Sequence, residues 1–195
     1  MKIGIISDIH ENFHNLILAL EKMNALGVKQ IICLGDLMND GVAKLLATSG
    51  TPVFMVWGNN DGDKVAITKT AFRAGSKLTV SDNTYDFPEF EGRKLFLTHH
   101  DNLALPMAST GIYDAVFYGH THHANVEKVK DTIVVNPGEI SAQKTGYATL
   151  AIYDTNSNEA GIINLENSVS LKTELTDEFF RKNKNKLLLR SDFSL

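Results

Sequence analysis

The chain has 195 residues, 43% of them hydrophobic and 22% charged, with a formal net charge of -4 at pH 7. That length buries a substantial core in one domain without disulfides or a structural metal, and no apolar run approaches the roughly 20 residues that cross a bilayer. Membrane insertion is therefore not expected, and the acidic balance argues against long nucleic acid as substrate or partner.

In chain order, the first strand is predicted at residues 3–6 and the first helix at 15–26, where Leu16, Leu20, Met23 and Leu26 recur at helical spacing and Gly27 follows as a C-terminal cap. A second strand at 31–34, a helix at 41–48, a third strand at 53–56 and a helix at 65–74 continue the alternation expected of βαβ units. From about residue 77 only strands are predicted, at 84–90, 93–98, 115–118, 125–129, 132–135, 147–153 and 159–165. Turn signals at Glu91-Gly92, Lys130-Asp131 and Asn156-Ser157-Asn158 predict antiparallel hairpins among them. Residues 1–175 read as one domain and 176–195 as a tail, an amphipathic helix packed on that domain or on a partner and a route to homo-oligomers. The N-terminal run passes from one lysine into a strand without the cleavage region of a signal peptide, so a cytoplasmic location is expected. Cys33, the single cysteine, lies in an apolar run and reads as a small buried hydrophobe.

Five polar clusters each follow one of the apolar runs: Asp8-Ile9-His10, Gly35-Asp36, Gly58-Asn59-Asn60-Asp61, His99 and Gly119-His120-Thr121-His122. Carboxylate, amide and imidazole donors without a thiolate suit divalent cations of borderline hardness, and strand ends bring such residues together at one edge of an α/β sheet. Asp8 and His10, like His120 and His122, are one residue apart, so each pair faces one space if the backbone there is extended. Asp36, with two carboxylate oxygens, is the natural bridge between two ions.

The ordered set resembles the calcineurin-like metallophosphoesterase superfamily, and in particular its small single-domain bacterial and archaeal phosphodiesterases. The resemblance runs over about residues 1 to 155 and extends to Asn12 and to Asn136-Pro137-Gly138. It implies an α/β/β/α sandwich of two packed mixed sheets with the metal site at the C-terminal ends of the strands. It implies further that Asp8, His10, Asp36 and His122 hold one ion and Asp36, Asn59, His99 and His120 the other, and that a bridging hydroxide attacks phosphorus in line. Manganese is the metal expected, with iron, zinc, nickel and cobalt compatible with the same donors. Asn12 and Asn59 are candidate substrate contacts, Asn12 being equally suited to cap the first helix. Asp61 reads as a carboxylate that orients the ligands.

Two positions depart from the family pattern. Asn60 stands where many members have a histidine that protonates the leaving group, and an amide cannot do that at neutral pH. His99-His100-Asp101 stands where relatives commonly have His-Gly-His; His99, first after the apolar strand, keeps the family register as the ligand, and His100 is a candidate proton donor or substrate contact. The expected activity is hydrolysis of a small or activated phosphodiester. The alternatives are a phosphomonoesterase or nucleotidase and, in another class, a protein-binding scaffold similar to the retromer subunit of this fold, which loss of ligands would have favoured.

Overall fold

The computed structural model describes residues 1–170. Short apolar strands alternate with helices through the first half: β1 (Lys2–Ile6), α1 (Phe13–Ala25), β2 (Gln30–Cys33), α2 (Asp40–Ala47), β3 (Val53–Met55), α3 (Lys64–Ala71) and β4 (Leu78–Val80). The four strands pair in parallel. Each helix starts on a side chain that accepts a backbone N–H of its first turn: Asn12 for α1, Asn39 for α2 and Asp63 for α3.

The second half contains β5 (Tyr85–Asp86), β6 (Glu89–Phe90), β7 (Arg93–Thr98), α4 (Asp101–Ser109), β8 (Ala115–Phe117), β9 (Asn125–Val129), β10 (Thr132–Asn136), β11 (Thr149–Asp154) and β12 (Glu159–Asn164). One sheet has the order β12-β11-β1-β2-β3-β4 and the other β5-β7-β8-β10-β9, with β6 also paired to β7. The hairpins expected at the three turn signals form between β6 and β7, β9 and β10, and β11 and β12. The second half is not made of strands alone, because α4 connects β7 to β8 and makes that pair parallel. Leu103, Ala104, Met107 and Ala108 do recur at helical spacing, but the segment is short and its interior carries Pro106, which masked α4. The strand read at 84–90 is broken into β5 and β6 around Phe87-Pro88, since proline lacks the N–H a ladder needs. The segment read as a tail helix lies outside the described residues.

Strand alternation builds the layers. On β1 and β2, Ile6, Ile31 and Cys33 face a core shared with Leu16, Met23, Val42 and Leu46 of the helices. Ile3, Ile5, Ile32 and Leu34 face the other way, onto Leu95, Leu97, Ala115 and Phe117 of the second sheet. Phe96, Val116 and Val134 point out of that sheet beneath Ala104 and Ala108 of α4. The result is the predicted sandwich: helices α1 to α3, two mixed sheets, and α4. Cys33 is fully buried, and burial pushes its thiol pKa up to about 12, so it behaves as a hydrophobe. After β12 the chain returns to the start of α1, where the Val169 N–H donates to Asn15 Oδ1 at 2.8 Å.

Candidate metal centre

The five clusters leave their strands at one edge of the sandwich, and left-handed backbone turns rather than extended strand ends aim three of them. Asp8, His10, Asp36, His120 and His122 all have positive φ, at 53°, 43°, 55°, 69° and 66°. The expectation that each Asp-x-His or His-x-His pair converges through strand alternation is thereby corrected: β1 ends at Ile6, β8 at Phe117, and the residues beyond them coil. Asp and His tolerate this region better than β-branched residues, yet such conformations cost on the order of 1–3 kcal/mol each and persist where surrounding contacts impose them.

Two motif glycines are required by close approach. A Cβ at Gly58 would overlap Asp36 Oδ1, and one at Gly119 would overlap Ser7 Oγ and crowd Asp8 Oδ2. Asp61 then ties the clusters together. Its carboxylate is buried and accepts the N–H groups of Asp36 at 3.0 Å, Leu37 at 2.8 Å, Met38 at 3.0 Å and Gly58 at 2.7 Å.

The predicted residues come together. His10 Nε2 lies 3.7 Å from Asp8 Oδ1 and 3.6 Å from Asp36 Oδ2, and His122 Nε2 lies 3.2 Å from Asp8 Oδ1. His99 Nε2 lies 3.4 Å from Asp36 Oδ2, 3.0 Å from Asn59 Oδ1 and 3.3 Å from His120 Nδ1. Two groups of donors, Asp8 with His10 and His122, and Asp8 with Asp36 and His99, each have ligand atoms within 4.8 Å of one another.

The hydrogen bonds around these atoms leave groups that could hold a cation. His99 Nδ1 donates to the Leu34 carbonyl at 2.7 Å, which leaves Nε2 as a lone pair aimed at a carboxylate and an amide oxygen, both also acceptors. Asp8 Oδ1 and His10 Nε2 are buried without any hydrogen-bond partner. Converging acceptors in a buried site require a positive charge between them, supplied by a proton or by a metal. Raised imidazole pKa values answer that need. Burial opposes charge at His99, but Asp36 beside it outweighs burial and raises its pKa; the same contest with Asp8 and Glu139 holds His122 at about 9. Asp8 and Asp36 are lowered despite burial, by His10 and His122 at Asp8 and by His99 and Asn60 at Asp36.

The other predicted residues take these places. Asn60 donates its backbone N–H to Asp36 Oδ1 and its side-chain amide to Asp36 Oδ2, both at 2.8 Å, and so holds the carboxylate. Asn12 is buried and fully engaged: Oδ1 accepts the Asn15 N–H, and Nδ2 donates to the carbonyls of Ser141 and Val169. It caps α1 and has no free donor for a phosphate, which corrects its reading as a substrate contact. His100 is half-buried, with its ring 5.4 Å from His99 and 5.6 Å from His120; burial and then the charges of those two rings lower its pKa.

Glu139 was not foreseen. It is fully buried, and its Oε2 accepts the Nδ1–H of His122 at 2.7 Å. The signal for it was a lone carboxylate in the otherwise uncharged run Pro137-Gly138-Glu139-Ile140-Ser141-Ala142, immediately after the family turn.

Comparison with known proteins bears on this edge of the molecule. The calcineurin-like phosphoesterase superfamily domain matches residues 1–158. A phosphodiesterase of Methanocaldococcus jannaschii is 36% identical over 168 residues, covering 85% of this chain and 100% of that protein. The solved structure of an archaeal phosphodiesterase superposes with a TM-score of 0.78 at 35% identity, over 85% of this chain and 100% of that one. Vps29 of Entamoeba histolytica shares the fold at a TM-score of 0.61 and 18% identity, over 87% and 96% of the two chains. The chain belongs to the calcineurin-like phosphoesterase superfamily and is an enzyme of that phosphoesterase class.

Proposed function

We propose that the protein is a metal-dependent phosphodiesterase acting on a small or activated phosphodiester. The observation that carries this reading is the convergence of Asp8, His10, Asp36, Asn59, His99, His120 and His122, with Asp8 Oδ1 and His10 Nε2 buried among them without a hydrogen-bond partner. Asp8, His10, Asp36 and His122 would hold one divalent ion, and Asp36, Asn59, His99 and His120 the second. Two such ions, manganese being the first to try, would supply an activated water for attack on phosphorus and positive charge against that developing on the phosphoryl oxygens.

The chain's own residues supply the rest. Asp36 is held from both oxygens by Asn60, which fixes it for a bridging role. Asn59, at the same cluster, is suited to contact a substrate oxygen as well as an ion. His100, beside His99 and His120, is the imidazole placed to protonate a leaving group, the task Asn60 cannot perform.

Charge suits phosphate chemistry. Two divalent cations bring four positive charges, which the buried Asp8 and Asp36 and a hydroxide reduce by three, so about one surplus positive charge would remain to attract a phosphoryl group of either ester class. The choice of a diester is supported by the similar proteins, which are phosphodiesterases. The fold alone does not separate an enzyme from a scaffold, but here a competent donor stands at every ligand position, which supports catalysis. A panel of diesters and monoesters, assayed after chelation and stepwise return of manganese, tests the reading. Diester turnover restored by metal is expected, and turnover of monoesters alone would replace it with the phosphomonoesterase reading.

A further inference from the structure

Glu139 binds six donors although it is completely buried. Oε2 takes the His122 Nδ1–H at 2.7 Å, the Ser141 hydroxyl and the Gln143 N–H at 3.0 Å. Oε1 takes the Lys144 N–H at 2.9 Å, the Thr145 N–H at 2.7 Å and the Thr145 hydroxyl at 2.8 Å. The next two residues are fastened to the first cluster from the other side, since the N–H groups of Ile140 and Ser141 donate to the carbonyls of Ser7 and Asp8, each at 3.0 Å. One side chain thus joins His122, the backbone beside Asp8, and the 143–145 turn.

From this geometry we propose that Glu139 is a positioning residue for the metal centre: it holds the Nδ1–H of His122, turns Nε2 toward Asp8 and His10, and ties that orientation to the 143–145 turn. A carboxylate accepts only, so a ring bonded through Nδ1–H presents the lone pair of Nε2 to whatever sits opposite. Here that is Asp8 Oδ1 at 3.2 Å, with the His10 ring stacked alongside at 5.1 Å. Carboxylate–histidine pairs of this kind fix ring orientation and raise ligand basicity, and their loss weakens metal binding by about 10- to 100-fold. The inference rests on the reading of His122 as a ligand.

The test is zinc affinity, measured on the full chain by chelator competition, for wild type, Glu139→Gln, His122→Ala and the double variant Ser141→Ala/Thr145→Val. The double variant removes two loop hydroxyls from Glu139 and leaves its bond to His122. The expected result is zinc binding about 10- to 100-fold weaker in Glu139→Gln, at least as weak in His122→Ala, and within about threefold of wild type in the double variant. Normal affinity in Glu139→Gln beside weakened affinity in His122→Ala overturns the role of Glu139 alone. Normal affinity in both overturns the ligand reading and this inference with it. Should Glu139→Gln fail to fold, ¹⁵N NMR of zinc-loaded wild type decides: Nδ1–H retained with zinc on Nε2 supports the proposal, and zinc on Nδ1 ends it.

Discussion

The backbone N–H of Asp36 donates to the carboxylate of Asp61, 25 residues further along, at 3.0 Å. Through this bond and those from Leu37, Met38 and Gly58, Asp61 holds the left-handed turn at Asp36 against the loop after β3. Asp61→Ala strands four N–H groups, three of them in bonds that are fully buried. Leaving buried donors unsatisfied costs about 1–3 kcal/mol apiece before relaxation and water entry, so a net loss of about 3 kcal/mol or more is expected in urea denaturation. A loss below about 1 kcal/mol would contradict this role.

Gly58→Ala tests whether the approach of Gly58 to Asp36 matters to the centre. The added methyl overlaps Asp36 Oδ1 and must displace the carboxylate or the turn that carries it. Manganese affinity is expected to fall at least tenfold with the far-ultraviolet circular dichroism spectrum unchanged, by the reasoning that a small displacement of a ligand is costly at a site of fixed geometry. Unchanged affinity would show that Asp36 has room to move.

The metal-free protein should be most stable in mildly acidic solution. His122 is raised from 6.5 to about 9 in the folded state, so its contribution is complete below 6.5 and is lost as pH rises through about 9. Glu139 is lowered from 4.5 to about 2, so its contribution is complete above 4.5 and is lost as pH falls toward about 2. His99 follows the sign of His122, while Asp8 and Asp36 follow that of Glu139. Thermal melts in a chelator should therefore peak between about pH 4.5 and 6.5, bounded by these values. Saturating metal should remove the alkaline decline, because the cation then supplies the charge that the protons supplied. An alkaline decline identical with and without metal would contradict the exchange of proton for cation.

His100→Ala separates a proton donor from a bystander. A donor contributes about 10²- to 10⁴-fold where the leaving group needs protonation, so alkyl diesters should lose far more rate than nitrophenyl diesters. Since the His100 pKa is lowered, by burial first and by the neighbouring imidazoles next, the wild-type advantage on alkyl diesters should grow as pH falls below 6.5. Equal losses on both substrate types would remove His100 from the reaction.

Much of this site was legible because its ligands follow apolar strands too short to be anything but buried, as Gly35-Asp36 follows Gln30–Cys33. What the sequence could not display was how they are aimed. Positive φ at Asp8 and His120 leaves no mark in composition, so extended strand ends were the natural but mistaken expectation. Helix α4 was hidden by Pro106 and by an N-cap, His100, whose side chain makes no capping bond. Asn12 was legible as a cap and ambiguous as a contact, and only its three hydrogen bonds settle how its amide is used. Glu139 escaped because a single carboxylate after a turn reads as surface, and its six donors come from residues that carry no shared spacing.

The most direct measurement is diester turnover against metal equivalents in chelated wild type and in Asp36→Asn, with bound metal counted in the same samples. Turnover in wild type should be absent without metal and saturate as two ions per chain bind, while Asp36→Asn, folded but without the carboxylate proposed to join the ions, should stay inactive at every ratio. Full turnover in chelated wild type, or near-normal turnover in metal-replete Asp36→Asn, would contradict the account.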